Sequence, residues 1–173
     1  MRKLKTVVLL GVALTAAGAA LLLNTAAGPS APKQPIAYSH RLHVSDPNGP
    51  QLECTSCHQH AEESRYATIP NATDVCMSCH ETEKADSPEI QKLAGYSARG
   101  EQPPWKRVYW FEPSADVHFT HKPHIKAGIA CTDCHGNVPQ MESARREVNQ
   151  TMGWCISCHR ERQVSNDCYI CHR

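Results

Sequence analysis

A mostly irregular fold with short α-helices, carried behind one N-terminal transmembrane helix, is what this chain's sequence predicts. Three observations carry that expectation. Ten cysteines fall without remainder into five Cys-x-x-Cys-His boxes. Large apolar side chains are too few for an ordinary core, since Leu, Ile, Val and Phe make up 18 of the 133 residues from Arg41 onward. An uncharged apolar run of seventeen residues, Val7 to Leu23, follows the cluster Arg2, Lys3 and Lys5.

The boxes are Cys54/Cys57/His58, Cys76/Cys79/His80, Cys131/Cys134/His135, Cys155/Cys158/His159 and Cys168/Cys171/His172. This spacing reads as attachment of a c-type haem. Two thiols of one box reach the two vinyl groups of one porphyrin, and the histidine that follows lies under the iron as its proximal ligand. Zinc would account for Cys-x-x-Cys half-sites, but an odd number of pairs leaves one without a partner. Zinc also gives no reason for a histidine after every second cysteine. A disulfide framework suits an exported, cysteine-rich chain and leaves the same histidines unexplained. The expected molecule is therefore a multihaem cytochrome c wrapped around five haems (haem c, with its iron). All ten cysteines attach them, with His58, His80, His135, His159 and His172 as proximal ligands. Composition agrees. A chain this poor in aliphatic residues would otherwise read as disordered, so five porphyrins must supply the missing apolar surface. The apoprotein is expected not to fold.

Residues 1–28 read as a membrane anchor. The Val7–Leu23 run exceeds the roughly 7–15 residues of a cleaved signal and reaches the roughly 17–25 of a spanning helix. Thr25-Ala26-Ala27 would serve as a cleavage site, in which case the segment is a signal peptide. No cysteine precedes Cys54, which excludes a lipid-modified cysteine as the anchor. The positive cluster stays inside. This places the chain in the inner (cytoplasmic) membrane as a single-pass protein, with the haem domain on the periplasmic side. Pro29, Pro32 and Pro35 make 29–36 an extended linker, and 37–173 forms the pentahaem domain. From Lys33 onward there are 15 basic and 17 acidic residues. No basic patch of the kind nucleic acid needs is present, and that partner class is set aside.

The haem domain contains an imperfect repeat. Tyr38-Ser39-His40-Arg41-Leu42-His43 precedes the first box, and Phe119-Thr120-His121-Lys122-Pro123-His124 precedes the third. Each copy runs on to a second box. Two di-haem units follow, about 38–80 and 119–159, plus a C-terminal haem at 168–172. In the stretch between the units, Ser87-Pro88-Glu89 signals a helix from Pro88 to about Tyr96, which Gly100 to Pro104 then break. Trp105, Val108, Tyr109, Trp110 and Phe111 form an aromatic cluster. Packing over haem faces is the expectation for it, ahead of a docking surface.

Six histidines remain after the proximal ones: His40, His43, His60, His118, His121 and His124. Five irons need five distal ligands. The repeated aromatic-x-His-x-x-His element supplies His40, His43, His121 and His124, whose spacing lets the members of each pair face different haems. Met141 is assigned to the remaining iron, with Met152, His60 and His118 as the alternatives. Axial identity matters because it helps set haem potential over about 0.8 V. With these candidates every iron can be closed, so an electron carrier is expected rather than a multihaem reductase, which needs an open coordination position.

Two groups of motifs carry a family resemblance. Tyr38-Ser39-His40-x-x-His43, a haem box, Ile69-Pro70 and Cys76-Met77-Ser78-Cys79-His80 resemble class III multihaem cytochromes. Trp105-Lys106-Arg107-Val108, the run Cys131 to Met141 and Thr151-Met152-Gly153-Trp154-Cys155 resemble the pentahaem cytochrome subunit of alternative complex III. The resemblance covers about 35–160. It implies a membrane-anchored subunit of a quinol-oxidising complex. Iron–sulfur and integral-membrane subunits would be its partners, and a soluble cytochrome or a terminal oxidase its acceptor. His60 and His118 lie outside the ligand positions that the resemblance implies. A free periplasmic multihaem shuttle is the rival expectation, and it differs mainly in whether Val7–Leu23 is cleaved.

Overall fold

The computed structural model describes residues 31–64, 67–69 and 71–172. The expected anchor at 1–28 lies outside the described residues. Among those described, no helix is long and apolar enough to cross a membrane.

The described chain is a string of short helices and irregular segments, with no strand beyond one isolated antiparallel bridge between Val117 and His172. A π-helical turn, Arg41–Ser45, comes first. The α-helices are α1 (Cys54–Cys57), α2 (Ala72–His80), α3 (Pro88–Ala98), α4 (His121–Lys126), α5 (Cys131–His135), α6 (Met152–Glu161) and α7 (Cys168–Cys171). Two 3-10 turns, Pro113–Ala115 and Val138–Gln140, complete the set. Each Cys-x-x-Cys pair lies on a helical turn, where a three-residue separation puts both side chains on one face. Most of these helices are far too short to persist in water alone.

Little of the polypeptide is buried. Among the described residues the buried apolar side chains are Ile36, Ala61, Ala72, Leu93 and Met141. Leu93 of α3 is buried, and α3 packs against α2. The expected helix runs to Ala98, slightly past Tyr96, and ends as Gly100 takes the left-handed φ of +63°. Its Glu89 accepts the Ala37 N–H at 2.7 Å and pairs with Lys92, which ties the segment before the first box to α3. The start of α2 is held from a distance. Asn71 is left-handed there and provides no side-chain cap. Gln102 instead accepts from the Thr73 N–H at 3.2 Å and donates to the Thr73 hydroxyl at 2.7 Å.

One set of contacts crosses the whole domain. The Arg41 N–H donates to the Met141 carbonyl at 3.0 Å, and the Ser45 hydroxyl donates to the Pro139 carbonyl at 2.6 Å. The Arg41 guanidinium bridges Glu142 at 2.5 Å and Asp46 at 2.8 Å. The π-helical turn that precedes the first box is therefore bound to the loop that follows the third.

Candidate haem-binding site

The two histidine elements of the repeat are built alike. Tyr38 stands edge-on to His40, with ring centroids 4.9 Å apart, and stacks on His43 at 4.5 Å. Phe119 stands edge-on to His121 at 4.8 Å and lies tilted over His124 at 4.9 Å. His43 Nδ1 donates to the Ser39 carbonyl at 2.8 Å, and His124 Nδ1 donates to the Thr120 carbonyl at 2.9 Å. A bond from one ring nitrogen to a carbonyl fixes the tautomer and leaves Nε2 with a free lone pair for a metal. The aromatic ring then fixes the direction in which that nitrogen points.

Three of these four histidines face the histidine of a box. His43 and His80 have ring centroids 6.0 Å apart, His121 and His135 6.2 Å, and His124 and His159 6.1 Å. His40 lies beside His58. Burial, then His58 and His43, push the His40 imidazole down to about 4, so the ring is neutral. Burial and then His121 lower His135 in the same way. A metal held between two imidazole nitrogens at roughly 2 Å from each keeps the ring centroids about 6 Å apart. Three pairs show that spacing.

The box histidines are oriented like their partners. His58 Nδ1 donates to the Ala67 carbonyl at 2.7 Å, His80 to Glu83 at 2.7 Å, His159 to Ser165 at 2.7 Å and His172 to Ala115 at 3.0 Å. His135 is braced by Tyr109, whose ring meets its edge at 4.7 Å and whose hydroxyl donates to the His135 carbonyl at 3.3 Å. The Tyr109 oxygen in turn accepts from the N–H groups of Glu147 and Val148. Arg146 lies over both Tyr109 and Trp110, so this part of the aromatic cluster braces the third box. His40 is the exception, because its Nδ1 is buried with no partner.

These residues suit covalent haem. All ten cysteines are free thiols. Among the described residues no three His, Cys, Asp or Glu side chains converge as a chelating cluster. Imidazoles in facing pairs suit a metal whose remaining ligands come from a planar macrocycle.

The thiols also reveal how the boxes neighbour one another. Burial raises the thiols of Cys54, Cys57, Cys134 and Cys155, and a thiol of another box adds to each shift. That neighbour is Cys131 for Cys54, Cys79 for Cys57, Cys158 for Cys134 and Cys171 for Cys155. The boxes thus form a series in the order second, first, third, fourth, fifth. Nothing in the sequence signals that order.

The remaining candidates are scattered. Met141 is buried, with 2 % of its surface exposed, against the π-helical turn. Met152 opens α6 and is 69 % exposed. His60 is exposed in the turn after the first box. His118 donates its backbone N–H to the Cys171 carbonyl at 2.7 Å, and its Nε2 lies 3.4 Å from Asp116.

Comparison with known proteins agrees with this geometry. The family model for cytochrome c7 and related cytochrome c matches residues 36–96 and 117–173. The chain is also 30 % identical, over 168 aligned residues, to a protein of Nitratidesulfovibrio vulgaris described as the multihaem cytochrome c subunit of a menaquinone reductase. The alignment covers 82 % of this chain and 77 % of that protein.

Proposed function

The chain belongs to the family of cytochrome c7 and related cytochromes c, and from that premise we propose that it relays electrons through five covalent haems as a subunit of a quinone-linked membrane complex of the alternative complex III kind. The observation that carries the proposal is the set of facing imidazole pairs at the spacing of two ligands on one metal. When bound, each haem supplies one-electron chemistry at its iron. The polypeptide supplies the rest. The boxes would attach the groups, the aromatic-x-His-x-x-His elements would offer imidazoles from the other side, and carbonyl bonds aim His43, His58, His80, His124, His159 and His172. A closed iron excludes small substrates, so the chain acts as a carrier and the quinone chemistry belongs to a partner subunit.

Val7–Leu23 anchors the chain in the cytoplasmic membrane with the haem domain on the periplasmic side. Its partners are integral-membrane and iron–sulfur subunits, and a soluble cytochrome or terminal oxidase accepts the electrons. The Nitratidesulfovibrio vulgaris relative is named for menaquinone reduction, whereas a complex of the alternative complex III kind oxidises quinol. A relay of closed irons conducts in either direction, and the donor and acceptor at its ends set the flow.

Purification in mild detergent tests the reading. Membrane and iron–sulfur subunits should copurify, and quinol should reduce the haems only in that assembly. Rapid reduction of the isolated chain by quinol, or a chain extracted without membrane partners, would replace the subunit with a free periplasmic shuttle.

A further inference from the structure

The three facing imidazole pairs share one spacing but stand at three different twists. The ring planes meet at 66° for His43 and His80, at 48° for His124 and His159, and at only 17° for His121 and His135. We propose that Tyr109 is a positioning residue that holds His135 nearly parallel to His121, so that the third haem differs electronically from its neighbours although its ligands are of the same kind. The inference rests on the haem-relay reading and deepens it.

Twist matters because each imidazole donates π density to the iron orbital that lies perpendicular to its own plane. Two parallel rings raise the same orbital, which splits the π set and gives a rhombic low-spin ferric spectrum. Two crossed rings raise both orbitals alike, which leaves them nearly degenerate and gives one large g value with broad remaining features. Parallel rings also favour ferric iron, so the third haem is harder to reduce than a crossed haem of the same ligation. The polypeptide thus tunes potential through what surrounds the ligands, without a change of ligand.

The cause of the small twist lies on the box side. The two copies of the repeat set their own histidines alike. The aromatic ring stands at 87° to His40 and 86° to His121, and at 30° to His43 and 32° to His124. What differs is the partner. His80 and His159 are aimed by a bond from Nδ1 to the carbonyls of Glu83 and Ser165, whereas His135 meets the edge of Tyr109 at 4.7 Å and 89°. The parallel pair is therefore gripped at both ends by an aromatic ring at a right angle, Phe119 against His121 and Tyr109 against His135. Edge-to-face contact is a preferred aromatic geometry, and it resists rotation of an imidazole about the axis through its ligating nitrogen. Tyr109 can act this way because it is itself fixed. Its hydroxyl donates to the His135 carbonyl at 3.3 Å and accepts from the N–H groups of Glu147 at 3.0 Å and Val148 at 3.3 Å. The Arg146 guanidinium lies over its ring, 5.3 Å from the centroid.

Full-chain holoprotein tests this by electron paramagnetic resonance of the ferric state, with haem number checked by mass. The unaltered protein should show at least one rhombic low-spin signal beside at least one of large g. Tyr109→Ala should move one haem's share of intensity from the rhombic to the large-g region, with every haem retained and low-spin, and that haem should become easier to reduce. Tyr109→Phe, which keeps the ring and loses the hydroxyl, should keep the rhombic signal. So should Trp110→Ala, which removes a neighbouring ring of the same cluster. If the alanine protein loses a haem, Tyr109→Leu is read in its place. Rhombic intensity undiminished by loss of the Tyr109 ring, or diminished equally by Trp110→Ala, overturns the assignment. So does a haem that becomes harder to reduce, or an unaltered protein with only one class of signal. These spectra need no membrane partner, so the positioning role and the subunit reading fail separately.

Discussion

His43 shows how much one side chain is asked to do. Tyr38 stacks on it, the Ser39 carbonyl accepts from its Nδ1, and its ring faces His80 across 6.0 Å. Replacing it with alanine should convert one low-spin haem to high-spin and open one carbon monoxide site, read by absorption and magnetic circular dichroism. His60→Ala should change neither signal. Gly136 acts through the backbone. It follows His135 directly, with φ +73° and ψ −160°, a region open essentially to glycine alone, and a Cβ there would run into the Glu147 side chain. Gly136→Ala should cost about 1–3 kcal/mol, measured as a shift in the denaturation midpoint of the holoprotein. Gly95 offers the contrast. It lies inside α3 with only the tip of Arg99 nearby, so Gly95→Ala should stabilise by roughly 0.5–1 kcal/mol.

The elements of this chain divide by whether their cause is local. The start of α3 was legible because Ser87-Pro88-Glu89 is a local signal, whereas short helices were expected only in general and not at the boxes themselves. The cap on α2 was not, since Gln102 reaches Thr73 across 29 positions and looks like any loop glutamine in the sequence. The same limit hid the burial of Met141 and the order of the boxes. The repeat made the histidine elements readable as a pair, but their facing partners depend on contacts between distant segments. The fifth box is the element most open to a clean test. α7 spans only Cys168–Cys171, and its Asp167 side chain caps it through the Tyr169 N–H. Changing Cys168 and Cys171 together to serine should remove one haem of five by denatured-protein mass and leave the other four attached, since the series loses an end and no interior member.

At the scale of the whole molecule the near absence of a core matters most. Among the described residues Leu93 and Met141 are the only large buried apolar side chains besides Ile36, far too few to offset the ordering of so long a stretch of chain. Protein made without haem should give a far-ultraviolet dichroism spectrum of disordered chain and no cooperative thermal transition. A cooperative transition in that material would show that the polypeptide holds itself together. The binding of the π-helical turn to the loop at Pro139–Glu142 has a further consequence, in time. The Arg41–Glu142 bridge closes across 101 positions, and a chain made from its N-terminus presents Arg41 long before Glu142. His40 and His43 therefore emerge with the first two boxes but stay unclamped until the third box has followed. The thiols of the early boxes are thus available on open chain, and the segment at Pro139–Glu142, arriving later, locks the first turn into place. A product truncated after the second box would keep its cysteines and histidines but lose the clamp from Pro139, Met141 and Glu142 on the turn that carries them.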